Sequence, residues 1–225
     1  MVAKNLHILE ERISSACLKA GRKRDEIRLI AVSKTYPVND IEDAYKFGLR
    51  DFGENRAQEL KEKSESIKMQ VNWHFIGHLQ TNKVKYVIQP AEYIHSVESM
   101  KLADEINLQA QKINKVQKVF IEYNASDEVS KYGLRDEVEI FKLAEYCSSK
   151  TNIKLVGLMT MAPFTDDQKI IRETFIKVRK MKDELNKIGF ELKDLSMGMT
   201  NDFEIAIEEG STMLRIGTAI FGSRG

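Results

Sequence analysis

Short apolar runs alternate along the chain with longer segments of helical periodicity. Eight of these runs are typical of buried β-strands: 28–33, 50–53, 71–76, 92–95, 117–123, 153–158, 192–196 and 213–216. Between them, apolar spacing predicts helices at 39–47, 55–68, 81–88, 99–112, 134–149, 166–188 and 201–209. The longest helix carries a stripe typical of packing on a core: Ile170, Ile171, Phe175, Val178, Met181 and Leu185.

The regular order of strand and helix predicts parallel strands joined by helical crossovers, which defines an α/β protein. A count of eight strands favours a single closed (β/α)8 barrel over an open doubly wound sheet, and no GxGxxG motif follows the first strand. Only nine residues follow the eighth strand, too few for a full eighth helix. An amphipathic helix predicted at 3–20 can pack in that vacant position. Without a recognisable linker, residues 1–225 are expected to form one domain.

Charge balance, apolar runs and cysteine positions indicate which partners and which cellular location to expect. The chain has 35 basic and 34 acidic side chains, so no basic field is available to attract nucleic acid. The charged stretch KEKSESIK (61–68) is expected to form a solvated helix face. No signal-peptide core or membrane-length apolar run is present, so we expect a cytoplasmic protein without a membrane partner. Cys17 and Cys147 are expected to be buried free thiols.

Small and polar residues follow the predicted strands. In a (β/α)8 barrel the carboxyl ends of all strands meet at one rim, where such enzymes and binding proteins carry their chemistry. The residues expected there are Lys34, Thr35, Gly53, Glu54, Asn55, Gly77, His78, His95, Ser96, Asn124, Met159, Thr160, Ser196, Gly198, Gly217 and Thr218.

Two of the rim loops have the composition of a phosphate site. SMGMT (196–200) follows the seventh strand and RIGTAIFG (215–222) follows the eighth. Backbone N–H groups exposed by Gly198 and Gly217, with the hydroxyls of Ser196 and Thr218, can bind a phosphate. Barrels of this class commonly hold phosphate after strands seven and eight. The alternative is that both glycines serve only tight turns.

Lys34 directly follows the apolar run RLIAVS (28–33). A lysine at the mouth of an apolar barrel loses solvation, which favours the nucleophilic amine that forms Schiff bases with carbonyl compounds. Alternatively, its tip reaches solvent or pairs with Glu54. An amine beside a phosphate site indicates a phosphorylated carbonyl compound, either pyridoxal 5'-phosphate or a sugar phosphate.

Several long motifs resemble one family. They are AVSKTYPVNDIEDAYKFGLRDFGENRAQEL (31–60), WHFIGHLQTNKVKYV (73–87), IHSVES (94–99), SKYGL (130–134), GLMTMAP (157–163) and LSMGMTNDFEIAIEEGSTMLRIGTAIFG (195–222). Together they resemble the pyridoxal phosphate homeostasis protein family over nearly the whole chain. The resemblance implies the barrel domain shared with alanine racemase, known as fold type III. It also implies that Lys34 holds pyridoxal phosphate (PLP) as an internal aldimine.

The same resemblance implies roles for the other site residues. Phosphate ligands are expected at Ser196, Gly217 and Thr218, and Arg215 is expected to face the pyridine nitrogen. Asn55 is expected to line the pocket, with His74 and Met199 as further cofactor-binding candidates. The segments FIEYNAS (120–126) and ENRAQEL (54–60) depart from the family pattern at the pocket rim.

The resemblance favours a non-catalytic protein that buffers PLP or delivers it to apo-enzymes. An arginine at the pyridine nitrogen gives a weaker electron sink than a carboxylate does. The additional β domain through which alanine racemase obtains a second base is also not expected in this protein. The alternatives are a small PLP-dependent amino-acid racemase and a Schiff-base aldolase acting on a sugar phosphate. A monomer is expected. Metal binding is not expected, because His74 and His78 lie in a predicted strand and turn.

Overall fold

The computed structural model describes residues 1–126, 128 and 131–222. Ser130 of the SKYGL motif and the expected domain end at Gly225 lie outside the described residues. Eight parallel strands form a closed barrel in chain order. They are β1 Arg28–Val32, β2 Asp51–Glu54, β3 Asn72–Phe75, β4 Ala91–Val97, β5 Gln117–Glu122, β6 Ile153–Met159, β7 Asp194–Ser196 and β8 Met213–Ile216. The barrel predicted from the alternating pattern is therefore confirmed.

Helices cover the outside of the barrel. They are α1 Val2–Lys19, α2 Val38–Phe47, α3 Ala57–Ser66, α4 Val84–Val87, α5 Met100–Lys112, α6 Glu137–Ser148, α7 Gln168–Lys187, α8 Phe203–Glu208 and α9 Thr218–Phe221. The apolar stripe of α7 is buried as predicted, except that Ile170 is 44% exposed at the first turn. None of the helices in the described residues has the length and apolar character needed to cross a membrane.

Alternation along each strand divides the apolar residues into two layers. A small cluster fills the barrel interior: Ile30, Tyr93, Phe120, Val156, Met159 and Met213. The neighbouring positions, such as Ala31, Ile94, Ile121 and Leu214, belong to the large core between the barrel and its helices. This division fixes the direction of the polar side chains further along each strand. Lys34 follows Val32 by two positions, in the turn after β1, and the same alternation predicts that it faces inwards.

Helix α1 occupies the position that the short segment after β8 leaves open. It contacts α2 on one side and α8 and α9 on the other. Its apolar face, including Leu6, Leu9 and Ile13, is buried, and the Asn5 side chain donates to the carbonyl oxygen of Ile220 at 2.9 Å. The predicted place of the N-terminal helix is therefore confirmed. Cys17 on α1 and Cys147 on α6 are buried free thiols, also as predicted.

The charged stretch 61–68 corrects one prediction. It was expected to form a solvated face of α3, but the Lys63 side chain is only 9% exposed and forms ion pairs with Glu54 and Glu59. Ile67 is buried as well. The alternating charges therefore conceal one lysine that faces β1 and β2.

Candidate functional site

The carboxyl ends of β7, β8, β1 and β2 lie side by side and bring several of the predicted residues to one part of the rim. In the paired registers Arg215 lies beside Ile30, and Ile216 lies beside Ala31. Gly217 packs directly on β1, since a Cβ atom added there would lie 3.2 Å from the carbonyl oxygen of Val32. The loop after β8 therefore lies against the strand that leads to Lys34.

Lys34 lies just beyond β1 in a half-buried position. The strand ladder continues to the residue before it, because the Ser33 N–H donates to the Gly53 carbonyl at 3.0 Å. The next residue, Thr35, has a φ of 69°, in the left-handed region that β-branched residues rarely adopt. Such a conformation costs about 1–3 kcal/mol and is often found at functional sites. The backbone therefore bends sharply at the proposed nucleophile.

The two glycine-containing loops are bonded to each other. The Arg215 N–H donates to the Gly198 carbonyl at 3.0 Å, and the Met197 N–H donates to the Met213 carbonyl at 3.2 Å. Gly198 has a φ of 98°, and a Cβ atom there would lie 2.7 Å from the Cβ of Ala206. Both conformation and space thus require glycine at this position. Gly217 precedes α9, whose first N–H groups lack helical partners.

Arg215 projects into the barrel from β8 and is 5% exposed. Its Nη1 donates to the Ser196 hydroxyl at 2.6 Å, and its Nη2 donates to the Thr160 carbonyl at 2.8 Å. Burial lowers the pKa of Arg215 to about 10, although nearby Asp202 and Glu122 favour the charged form. The guanidinium therefore stays charged at neutral pH and forms a fixed cationic group below the mouth.

A chain of buried polar side chains continues from Ser196 across the barrel. The Ser196 hydroxyl and His95 Nδ1 are 2.8 Å apart, His95 Nε2 and His74 Nδ1 are 2.9 Å apart, and His74 Nε2 is 2.9 Å from an Asp51 oxygen. Burial lowers the pKa of both imidazoles. Burial also acts to raise the pKa of Asp51, but hydrogen bonds from His74 and Asn72 together with the charge of nearby Arg28 outweigh it and lower that pKa.

These charge states fix the direction of every proton in the chain. Ionised Asp51 can only accept, so His74 donates to it through Nε2 and accepts from His95 through Nδ1. Neutral His95 then has only an acceptor left for the Ser196 hydroxyl proton. Ser196 therefore accepts from Arg215 and donates to His95. To donate to a phosphate oxygen, as predicted for it, the Ser196 hydroxyl must turn away from His95.

Three other residues predicted to bind the cofactor differ in how far they lie below the barrel mouth. His74 is level with Gly53 and Val32, fully buried, and both of its ring nitrogens are occupied, so it can reach a ligand only through His95. Met199 is half-buried in the loop after β7, and Thr218 is exposed at the start of α9.

Asn55 directly follows β2 and borders a cavity of about 280 Å³ together with Phe75, His78 and Leu79. A larger cavity of about 880 Å³ opens at the opposite face of the barrel, near Tyr93 and Asp194. That face carries the amino ends of the strands, where barrels of this class rarely place their chemistry.

His74 and His78 contact different partners. His74 lies in β3, whereas His78 follows the strand, lies 3.0 Å from Glu98 and stacks on Tyr132. The strand-and-turn arrangement expected for this segment is therefore confirmed. In the described part of the chain no group of three or more histidine, cysteine or acidic side chains could hold a metal ion.

Glu122, which the sequence did not single out as a site residue, also faces the mouth. It ends β5, two residues after the interior residue Phe120, and it belongs to the segment FIEYNAS that departs from the family pattern. Burial raises the pKa of Glu122 to about 7, and repulsion from Glu98 adds to the shift while Arg215 opposes it. A carboxyl that titrates near neutrality therefore lies in the field of Arg215.

Glu122→Gln should stabilise the protein above neutral pH. The pKa of Glu122 is raised from its ordinary 4.5, so the wild type loses stability as pH rises from about 4.5 to 7, whereas glutamine does not titrate. We expect the variant to gain about 1–2 kcal/mol relative to wild type between pH 5 and pH 8. Urea unfolding at both pH values measures this difference. An equal difference at the two pH values would contradict a raised pKa.

The chain matches known proteins over nearly its full length. Residues 5–225 match the alanine racemase N-terminal domain family. The pyridoxal phosphate homeostasis protein of Aquifex aeolicus is 46% identical over 95% of this chain and 94% of its own length. PipY of Synechococcus elongatus, solved with PLP bound, is 30% identical with a TM-score of 0.86, covering 99% of this chain and all of that one.

More distant similarity supports the fold alone. An alanine racemase of Clostridium difficile has a TM-score of 0.78 at 17% identity, and the match covers 98% of this chain but 57% of the racemase chain. The barrel is thus shared with alanine racemases, while the near-complete match at much higher identity is to the proteins named for PLP homeostasis. The chain therefore belongs to the pyridoxal phosphate homeostasis protein family, within the alanine racemase N-terminal domain family.

Proposed function

We propose that this protein binds PLP covalently through Lys34 and takes part in PLP homeostasis. The observation that carries the proposal is the position of Lys34, which is half-buried in the turn after β1, beside the Gly217 loop at the barrel mouth. The names of the relatives and the PLP-bound structure of PipY support the choice of ligand.

The residues at the mouth fit this ligand. When bound, PLP supplies an aldehyde that a lysine amine converts to an imine with loss of one water. Lys34 provides the amine, and the loops around Gly198 and Gly217 provide N–H groups suited to a phosphate. Arg215 provides a buried cation, which the family resemblance expects to face the pyridine nitrogen. Asn55, Ser196, Met199 and Thr218 remain predicted contacts, and His74 acts through His95.

We infer that holding and delivering PLP is the main role, rather than catalysis. The guanidinium of Arg215 can only donate hydrogen bonds, so a pyridine nitrogen that faces it accepts and stays unprotonated. A carboxylate in that position would instead keep the nitrogen protonated. The relatives' shared name, homeostasis protein, supports the same conclusion. Delivery to PLP-dependent apo-enzymes, a monomeric state and a cytoplasmic location stay predictions.

A visible spectrum with and without borohydride tests the proposal. Protein reconstituted with PLP should be yellow, and reduction followed by peptide mapping should place the adduct on Lys34. A colourless protein with excess PLP would overturn the proposal. A borohydride-trapped sugar on Lys34 without a chromophore would indicate the aldolase instead. Rapid exchange of α-deuterium from an amino acid, abolished by Lys34→Ala, would indicate the racemase.

A further inference from the structure

The buried ammonium group of Lys63 lies on the outer side of β1 and β2, where α3 packs on the barrel. Its Nζ donates three hydrogen bonds: to the Ser33 carbonyl at 2.7 Å, to Glu54 Oε1 at 2.8 Å and to Glu59 Oε1 at 2.8 Å. An ammonium has three protons, so every donor of Lys63 is used. One of its three acceptors is the backbone directly before Lys34.

The two carboxylates extend this contact to the other side of Lys34. Glu54 Oε1 accepts the Ser33 hydroxyl at 2.6 Å, and Glu59 Oε1 accepts the Thr35 N–H at 2.5 Å. Burial acts to raise the pKa of Glu59, but hydrogen bonds from Lys63 and Thr35 together with the charges of Lys63 and Arg56 outweigh it and lower that pKa. Glu59 therefore stays ionised, and the peptide groups on both sides of Lys34 are held by the group Glu54, Glu59 and Lys63, which we term the clamp.

We propose that Lys63 is a positioning residue for Lys34, acting through the clamp on the backbone of Ser33 and Thr35. The inference rests on the proposed function, because it assigns Lys63 a part in presenting the amine that captures PLP. Ser33 and Lys63 meet on the helix side of β1, whereas the alternation of β1 predicts that Lys34 faces the barrel interior. Lys63 thus sets the direction of Lys34 without being a catalytic residue.

Thr35 shows why a clamp is needed. Its φ of 69° is unfavourable for a β-branched residue, so without an acceptor for its N–H the backbone would relax towards extended conformations. Relaxation of Thr35 would turn the preceding peptide and change the direction of Lys34. The apparent rate of ligand capture is proportional to the fraction of molecules in the competent conformation, so it falls as that fraction falls. Loss of the clamp should therefore slow the capture of PLP without any change in the loops that contain Gly198 and Gly217.

The test compares Lys63→Met with Lys61→Met, a matched change on the same helix at a side chain that is 41% exposed. Two quantities are measured: hydrogen exchange at the Thr35 amide without PLP, and the rate constant for covalent capture of added PLP. Charged hydrogen bonds of this kind are strong enough for about a tenfold effect on each. We expect Lys63→Met to exchange faster and capture more slowly by about that factor, while Lys61→Met matches wild type.

Adding Thr35→Gly to Lys63→Met should restore part of the capture rate, because glycine adopts a positive φ without penalty. A general loss of stability would not be repaired in this way. If Lys63→Met does not fold, Glu59→Ala, at a side chain 20% exposed, removes the acceptor of the Thr35 N–H and carries the same expectation.

The outcomes separate the two proposals. Capture at the wild-type rate by the clamp variants, with unchanged Thr35 exchange, overturns the role of Lys63 and leaves the proposed function standing. Failure of the wild type to form any adduct at Lys34 overturns the proposed function, whatever the Thr35 amide shows.

Discussion

Lys34→Ala should abolish covalent retention of PLP. Lys34 lies half-buried in the turn after β1, so removal of its amine removes the nucleophile that the proposed function requires. After incubation with PLP and gel filtration the variant should show no visible absorption, and after borohydride reduction it should show no mass increase beyond background. The half-buried position of Lys34 at the rim predicts a change in unfolding free energy within about 1 kcal/mol.

A matched control separates site-specific capture from random modification. Lys169→Ala changes a lysine whose side chain is 83% exposed at the start of α7, on the same face of the barrel. This control is needed because PLP forms Schiff bases with exposed lysines as well. Lys34 is unchanged in this variant, which should therefore retain the full adduct at Lys34. Retention of a stoichiometric adduct by Lys34→Ala, or its equal loss in Lys169→Ala, would refute the assignment of Lys34.

The barrel could be predicted from the sequence because parallel strands buried on both faces form continuous apolar runs. The run 28–33 predicts β1 to within one residue, and alternation from Ile30 then predicts that Lys34 faces inwards. The loops after β7 and β8 were recognisable because each carries a glycine, and a Cβ atom at Gly198 or Gly217 would lie close to neighbouring atoms. Local patterns of this kind are determined by one strand or one turn at a time.

The buried polar groups were harder to predict because each depends on the register between distant strands. His74 and His95 are separated by 21 residues, and Ser196 follows His95 by another 101. Lys63 lies in a stretch whose alternating charges are typical of a solvated helix face. Its burial follows from the way α3 packs over Ser33 and Glu54, which no local pattern reveals. The sequence flagged the segment that contains Glu122 but not the function of that residue.

Arg215→Leu should lower the free energy of unfolding by about 3–5 kcal/mol at pH 8. The substitution leaves the Thr160 carbonyl and the Ser196 hydroxyl without their charged donor, and it removes the cation that stabilises the ionised forms of Glu122 and Asp202. Urea unfolding measures the loss. Arg12→Leu is the control, because that side chain is 47% exposed and its pair with Glu204 should contribute less than about 1 kcal/mol.

The pH dependence identifies the origin of the Arg215 effect. Burial raises the pKa of both Glu122 and Asp202, and Arg215 opposes both shifts. Without the arginine both pKa values should rise further. The variant therefore loses most free energy of unfolding, relative to wild type, at pH values where the wild-type carboxylates are ionised. The loss should therefore be smaller at pH 5.5 than at pH 8, and Glu122→Gln should reduce it at pH 8. An equal loss at both pH values would assign the stabilisation to the hydrogen bonds with Ser196 and Thr160 rather than to charge, and would place the two carboxyls outside the field of Arg215.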